Sequence, residues 1–197
     1  MNYLAHAYLS FGQEPVLVGN LVSDFIKGRK KLDYPEGIQK GITLHRSIDE
    51  FTDNSPVTRE AKAIFRPAYR LYSGAFMDVV YDHFLANDNK EFPGSSLFDF
   101  SQQVYRVVEK NSAWLPERFA WMFRYMKGDN WLYGYRTRDM IRDSFAGLVR
   151  RSAYMKESQT AFALFEENYE VLGTYYNEFI GPVKIFAKQR MEELLAS

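Results

Sequence analysis

The sequence contains no cysteine, which excludes disulfide frameworks, zinc knuckles and thiol nucleophiles. This absence fits a reducing compartment, so we expect a cytoplasmic protein. Net charge is also absent, because 25 lysines and arginines balance 25 aspartates and glutamates. No overall field would therefore attract nucleic acid or an acidic membrane, and we expect neither as a partner.

Long apolar runs and nucleotide-binding motifs are missing as well. The longest apolar stretches span only a few residues, so the sequence predicts no membrane-spanning helix and no signal peptide. No glycine-rich phosphate loop and no Gly-x-Ser-x-Gly elbow occurs, which argues against a mononucleotide-binding α/β domain and a serine hydrolase of that type.

The apolar residues recur three and four positions apart over long segments, and only 12 glycines and seven prolines interrupt them. This pattern is typical of amphipathic helices, so we predict an all-α fold, a helical bundle forming a single domain over residues 1–197. The expected helices lie near 2–10, 15–27, 35–52, 56–68, 74–87, 97–112, 116–127, 136–150 and 158–195. We expect the last helix to be bent or broken around Gly181-Pro182.

Polar side chains occur inside segments that otherwise look buried, and His45 with Asp49 is the first such pair. The two residues lie four apart, so they stack on one face of a helix. A carboxylate on a core-facing stripe must be paired, hydrogen-bonded or bound to a cation. A histidine and an aspartate at this spacing can offer nitrogen and oxygen to one ion, although a simple hydrogen bond between them is the plainer alternative.

Asp78 and Asp82 repeat the same spacing, with His83 beside them and no lysine or arginine in the segment. Like charges at this spacing oppose the helix, and burial would make it harder to ionise both. We therefore expect a positive partner, either a divalent cation or arginines from elsewhere in the fold.

Two further segments add to the pattern. Asn20 and Asp24 lie four apart, and His6 lies among apolar and aromatic neighbours. Several helices thus carry inward-facing donors, as in helical bundles that build metal centres from facing side chains. The basic segment from Lys27 to Lys31 follows closely, and it is either a solvated helix end or a docking surface for an acidic partner. Trp114, Trp121 and Trp131 give no interpretable functional signal.

Five segments resemble the bacterial acyl-carrier-protein phosphodiesterase family in order and spacing. They are Met1-Asn-Tyr-Leu-Ala-His6, Gly19-Asn-Leu-Val-Ser-Asp-Phe25, Gly41-Ile-Thr-Leu-His-Arg-Ser-Ile-Asp49, Phe51-Thr-Asp53 and Asp78-Val-Val-Tyr-Asp-His-Phe-Leu85. The resemblance is strongest over residues 1–85 and continues more loosely to Arg151. It implies hydrolysis of the phosphodiester that joins 4'-phosphopantetheine to a serine of holo-acyl carrier protein, an acidic protein substrate. It also implies manganese as cofactor, with magnesium as a substitute, and a fold distantly like the HD phosphohydrolases, whose His-Asp order is reversed here in Asp82-His83.

The resemblance and the spacing together lead to a set of predicted roles. The predicted metal contacts are Asp24, His45, Asp49, Asp78 and Asp82. His6 and His83 either bind the metal or transfer protons, and either one is a candidate general acid for the leaving serine. Arg46 or Lys27 is expected to stabilise charge on the phosphoryl oxygens.

Two other functions stay open at this stage. One is the same centre acting on a nucleotide or another small phosphoester. The other is a non-catalytic helical interaction protein in which the aspartates form structural ion pairs. Substrate specificity separates the first alternative, and metal titration separates the second.

Overall fold

The computed structural model describes residues 1–197 as helices and turns without a β-strand, which confirms the all-α prediction. The α-helices are α1 (Tyr3–Tyr8), α2 (Glu14–Val22), α3 (Glu36–Asn54), α4 (Pro56–Tyr69), α5 (Ser73–Ala86), α6 (Ser96–Lys110), α7 (Glu117–Gly128), α8 (Trp131–Gly134), α9 (Arg138–Arg151), α10 (Gln159–Glu167) and α11 (Tyr169–Ala196). Short 3₁₀ helices cover Ser23–Phe25, Gly28–Asp33, Arg70–Tyr72 and Ser112–Trp114. None of the helices combines the length and the apolar character needed to cross a membrane.

The core is one continuous cluster of 47 buried apolar residues, to which every α-helix contributes. Helices α2 and α3 pack closely along their lengths, and α11 lies across α3, α4 and α5. Helix α1 contacts both α2 and α5, so the start of the chain reaches the middle of the bundle. This arrangement brings α1, α2, α3 and α5 together, the four helices that carry the predicted donors.

The helix predicted near 15–27 ends earlier, at Val22. The chain then continues as the 3₁₀ helix Ser23–Phe25, and Ile26 takes an extended conformation with φ −118° and ψ 109°. Ile26 is buried in this conformation. The departure from the helix thus leaves Asp24 on a short turn at the end of α2.

The sequence does not predict helix α8, because four residues are too few to show a periodic pattern.

Of the bend or break expected at Gly181-Pro182, the break is wrong, because α11 runs through Pro182 and the interruption lies at Asn168 instead. Pro182 itself is exposed, whereas Phe179, Ile180 and Val183 beside it are buried. Their packing on neighbouring helices holds the helix together although proline removes a backbone hydrogen bond.

Two glycines let α2 and α3 approach with their backbones in contact. A Cβ atom on Gly41 would lie 2.2 Å from the carbonyl oxygen of Val16, and a Cβ on Gly19 would lie 2.1 Å from that of Ile38. The residue after Gly19 is Asn20, and His45 follows Gly41 by one helical turn. The glycine contact therefore sets the distance between these two polar residues.

We expect Gly41→Ala to destabilise the fold by about 2–3 kcal/mol, because the added methyl group meets backbone atoms that must move apart. Gly181→Ala is the matched control, since it lies in a helix and its Cβ would meet nothing within 4 Å. That control should be neutral or stabilising by up to about 1 kcal/mol, the helix preference of alanine over glycine. Chemical unfolding of both variants provides the comparison. Equal stabilities would contradict the close contact of the two helices.

Candidate metal centre

Asn20 on α2 holds His6 of α1 and His45 of α3. The His6 Nδ1 lies 2.7 Å from the Asn20 side-chain oxygen, and the His45 Nδ1 lies 2.7 Å from the Asn20 backbone oxygen. The two imidazole rings stack, with centroids 3.9 Å apart and planes 17° from parallel. All three residues are buried.

These contacts fix the protonated nitrogen of each ring. The Asn20 amide nitrogen donates to the His6 backbone oxygen at 2.9 Å, so its side-chain oxygen must face His6 Nδ1. A carbonyl oxygen only accepts hydrogen bonds, and each Nδ1 therefore carries the hydrogen. In the neutral rings, both Nε2 atoms then present a lone pair. Such orientation through the other ring nitrogen is characteristic of metal-binding histidines.

Both Nε2 atoms face the carboxylate of Asp49. One carboxylate oxygen lies 3.2 Å from His6 Nε2, and the other lies 3.0 Å from His45 Nε2. The buried His6 Nε2 nevertheless has no hydrogen-bond partner. One ligand atom from each of the three residues lies within 4.8 Å of the other two. We call His6 Nε2, His45 Nε2 and the Asp49 carboxylate the three-donor centre.

Asp24 and the three-donor centre form one electrostatic system. The Asp24 carboxylate lies 3.1 Å from His45 Nε2. Burial by itself would lower the pKa of His45, but hydrogen bonds and charges from Asp24 and Asp49 raise that pKa to about 9. Burial and the neighbouring His45 lower the pKa of His6 to about 4. The Asp49 carboxyl is half-buried, which by itself would raise its pKa, yet the two histidines hold that pKa far below the ordinary range. Without a metal, His45 is thus the protonated ring of the pair.

Asp78 borders the centre from α5. Its carboxylate lies 3.0 Å from the Met1 amino group, which also lies 3.4 Å from Asp49. Burial raises the pKa of the Asp78 carboxyl, and the Met1 ammonium opposes that shift. No arginine or lysine side chain forms an ion pair with Asp24, Asp49, Asp78 or Asp82. The arginine network considered from the sequence is therefore not formed.

Asp82 has a different environment from Asp78. Its two oxygens accept the backbone amides of Leu4 and Ala5 at 2.8 and 3.1 Å, and the side chain is fully buried. Burial raises the pKa of Asp82 to about 7, although these amides oppose the shift. The structure does not bring Asp82 into the three-donor centre. It lies instead where it fixes the start of the helix that carries His6.

The remaining predicted residues also lie apart from the three-donor centre. His83 contacts the Tyr135 backbone oxygen at 2.8 Å and the Tyr169 hydroxyl at 2.9 Å, so both of its ring nitrogens are engaged. Arg46 donates to the Ile26 backbone oxygen at 3.0 Å. Lys27 is exposed and directly follows Ile26. Their predicted catalytic roles stay predictions.

Two cavities meet at Asp78 and Ala75. The larger, of about 990 Å³, also reaches Asp24, and we call it the aromatic cleft. Its apolar walls include Tyr3, Trp121, Met122, Tyr125, Trp131 and Leu148. The smaller, of about 710 Å³, we call the basic cleft. Its charged wall is formed by Lys62, Arg66, Arg70 and Asp53.

Sequence reasoning missed the role of Asn20 and the aromatic cleft. Asn20 was visible as an amide in an apolar helix, four residues before Asp24, but its contact with both histidines depends on the packing of three helices. Trp121 gives no interpretable functional signal in the sequence, because a single tryptophan in a helical segment does not show whether its side chain is buried or exposed. In the structure its side chain is 62% exposed on the wall of the cleft.

Comparison with known proteins points to one family. The family model described as "Acyl carrier protein phosphodiesterase" matches residues 1–183. A protein of that name from Serratia proteamaculans (strain 568) is 34% identical over 191 residues, covering 96% of this chain and 99% of the relative. Its namesake from Yersinia pestis is 32% identical over 180 residues, covering 91% and 93%. No solved structure matches the chain, and the likeness to HD phosphohydrolases stays a prediction. From the family match and these identities, the chain belongs to the acyl carrier protein phosphodiesterase family.

Proposed function

We propose that this protein hydrolyses the phosphodiester between 4'-phosphopantetheine and a serine of holo-acyl carrier protein, releasing the apo form, and that the reaction depends on a divalent metal. Family membership supports the reaction. The single observation that carries the metal dependence is the buried His6 Nε2, which faces a carboxylate and has no hydrogen-bond partner. The free lone pair of His6, the His45 Nε2 that can lose its proton and a carboxylate converge there, and a cation would satisfy all three donors.

A donor set of two imidazoles and a carboxylate fits manganese better than magnesium, which prefers oxygen ligands. Magnesium stays the substitute that the family resemblance implies. His6, His45 and Asp49 would hold the ion, and Asp24 and Asp78 border the same position. A bound Mn²⁺ would supply a Lewis acid for a phosphoryl oxygen and would lower the pKa of a bound water. Asn20 would keep both imidazoles in the tautomer that binds metal, and Asp82 would position His6 by anchoring the backbone of α1.

Proton transfer to the leaving serine oxygen requires an acid beside the metal. Both nitrogens of His83 are hydrogen-bonded in this structure, to the Tyr135 backbone oxygen and the Tyr169 hydroxyl, and a metal-bound His6 has no proton to give from Nε2. Asp78 borders both cavities, and burial raises the pKa of its carboxyl. It also lies 3.0 Å from the Met1 ammonium, and we add Asp78 to the candidate donors because it reaches both cavities beside the proposed metal position.

The direct test is incubation of the purified protein with holo-acyl carrier protein and Mn²⁺, followed by intact-mass measurement of the carrier. Loss of the phosphopantetheine arm, abolished by a chelator and restored by Mn²⁺, is the expected result. Full activity after metal removal would contradict the metal dependence. Rapid turnover of nucleotides with no change in the carrier would favour the small-phosphoester alternative.

Metal binding should also release protons. Because the pKa of His45 is about 9 without metal, its ring is protonated at neutral pH, and Nε2 must lose that proton before it can bind an ion. The pKa of His6 is about 4, so between these two values at least one proton should leave per Mn²⁺. The affinity should then fall about tenfold for each unit decrease in pH.

Calorimetric titration with Mn²⁺ in two buffers of different ionisation enthalpy measures this release directly. A signal that is independent of the buffer at pH 7.5 would contradict the assignment of His45 as a ligand. The His45→Asn variant is the control, since it has no imidazole proton to lose and should bind metal weakly.

A further inference from the structure

Two cavities meet at Asp78, whose Met1 partner also contacts Asp49 of the three-donor centre. The aromatic cleft has large aromatic walls, whereas the basic cleft is lined mainly by polar and charged residues. The aromatic cleft and the basic cleft share only Asp78 and Ala75 among their lining residues. The substrate of the proposed reaction is also divided at its scissile phosphodiester. On one side is an elongated arm with methyl and amide groups, and on the other side is a folded protein.

The aromatic cleft has the features of a site for an elongated ligand that carries a charged group, since its lining combines aromatic side chains with Arg118, Arg150 and Arg151. Trp121 and Tyr125 project from α7 into the cleft, with side chains 62% and 50% exposed and ring centroids 4.9 Å apart. The other face of α7 buries Phe119 and Met126 in the core. Large aromatic side chains beside a cavity, rather than inside the core, are typical of ligand-binding walls. Asp78 and Asp24 also line the cleft, and the Asp24 carboxylate lies 3.1 Å from His45 Nε2 of the three-donor centre.

The basic cleft has the features of a protein-docking surface. Lys62 pairs with Asp53 at 2.6 Å, whereas Arg66 and Arg70 form no ion pair. Arg70 has φ 49° and ψ −118°, a conformation that is strained for a residue with a side chain. The next residue, Leu71, is 98% exposed. An exposed leucine among cations is complementary to an acidic surface with an apolar spot at its middle.

We propose that the substrate crosses the centre at Asp78, with the phosphopantetheine arm in the aromatic cleft and an acidic face of the carrier protein on the basic cleft. This assignment rests on the proposed function. The rival docking surface, Lys27 to Lys31, is an exposed segment that lines neither cleft. A carrier seated on the basic cleft places its serine at the junction while its arm extends toward Trp121.

The test measures the binding of the two products separately by calorimetry. Trp121→Ala should weaken binding of 4'-phosphopantetheine about tenfold and leave binding of apo-carrier protein unchanged. Arg66→Glu should weaken binding of apo-carrier about tenfold and leave binding of 4'-phosphopantetheine unchanged. Trp114→Ala and Lys188→Glu are the matched controls, since both residues are exposed and lie outside the two clefts. Neither control should change either affinity.

Several outcomes would overturn this assignment. The first is that Lys30→Glu abolishes carrier binding while Arg66→Glu does not. The second is that each variant weakens the binding of both products equally. The third is that the unaltered protein binds neither product. Hydrolysis of holo-carrier by that same unaltered protein reports on the proposed function independently. If the arm is released but the variants do not affect the two products separately, the proposed placement of the arm and the carrier is wrong and the proposed function stands. If no arm is released in Mn²⁺, the proposed function itself fails.

Discussion

Replacing Asp49 by asparagine is expected to remove Mn²⁺ binding and to lower the rate of arm release by about 1,000-fold or more. Asp49 is the only carboxylate that faces the Nε2 atoms of both histidines. An asparagine would keep the shape, but it would offer one neutral oxygen and an NH₂ group that donates to a ring lone pair. The change thus removes the negative charge from the three-donor centre and occupies a nitrogen that a bound metal would need.

The measurement combines Mn²⁺ titration with the rate of arm release from holo-carrier protein, and circular dichroism verifies the fold. Glu50→Gln is the matched control because it removes a carboxylate from the next position of α3, where the side chain is exposed. The control should retain both metal binding and activity. Retention of tight Mn²⁺ binding by Asp49→Asn would show that the metal lies elsewhere.

Replacing Asn20 by leucine should weaken metal binding by about 10–100-fold, the range observed when the partner that orients a metal-binding histidine is removed. The variant loses the acceptor for His6 Nδ1, and the larger side chain disturbs the backbone position that holds His45. It also leaves the His6 carbonyl without its amide donor, which should cost about 1–3 kcal/mol of stability.

Asn111→Leu provides the comparison for this variant. Its side-chain amide donates to the Val107 backbone oxygen at 2.8 Å, at the end of α6. Loss of that contact should affect stability alone and leave Mn²⁺ affinity unchanged. The same loss of metal affinity in both variants would mean that general destabilisation, rather than histidine orientation, controls binding.

Spacing along a helix predicted those parts of the site that depend on local geometry. His45 and Asp49 lie on one face of α3, as their separation of four residues requires, and His45 Nε2 lies 3.0 Å from the Asp49 carboxylate. Asp24 lies within 3.1 Å of His45, although it follows the end of α2 and is held by a short turn. Periodicity likewise gave the main helices, because each buries an apolar face.

The positions of Asp82 and His83 could not be derived in this way. These neighbours point in different directions on α5, and what each one meets is decided by distant segments. Asp82 meets the backbone at the start of α1, and His83 meets Tyr135 and Tyr169. Adjacent donors in a motif therefore do not have to serve one centre. Similarly, the exposure of the Trp121 side chain depends on which helices lie beside α7. The sequence of α7 alone does not show that exposure.

The most direct test of the account is a crystal structure of the protein with Mn²⁺, with the ion located by anomalous diffraction. The account predicts an anomalous peak coordinated by Nε2 of His6, Nε2 of His45 and the carboxylate of Asp49, with both Nδ1 atoms still bound to Asn20. A fully loaded protein whose manganese lies away from these three side chains would contradict it.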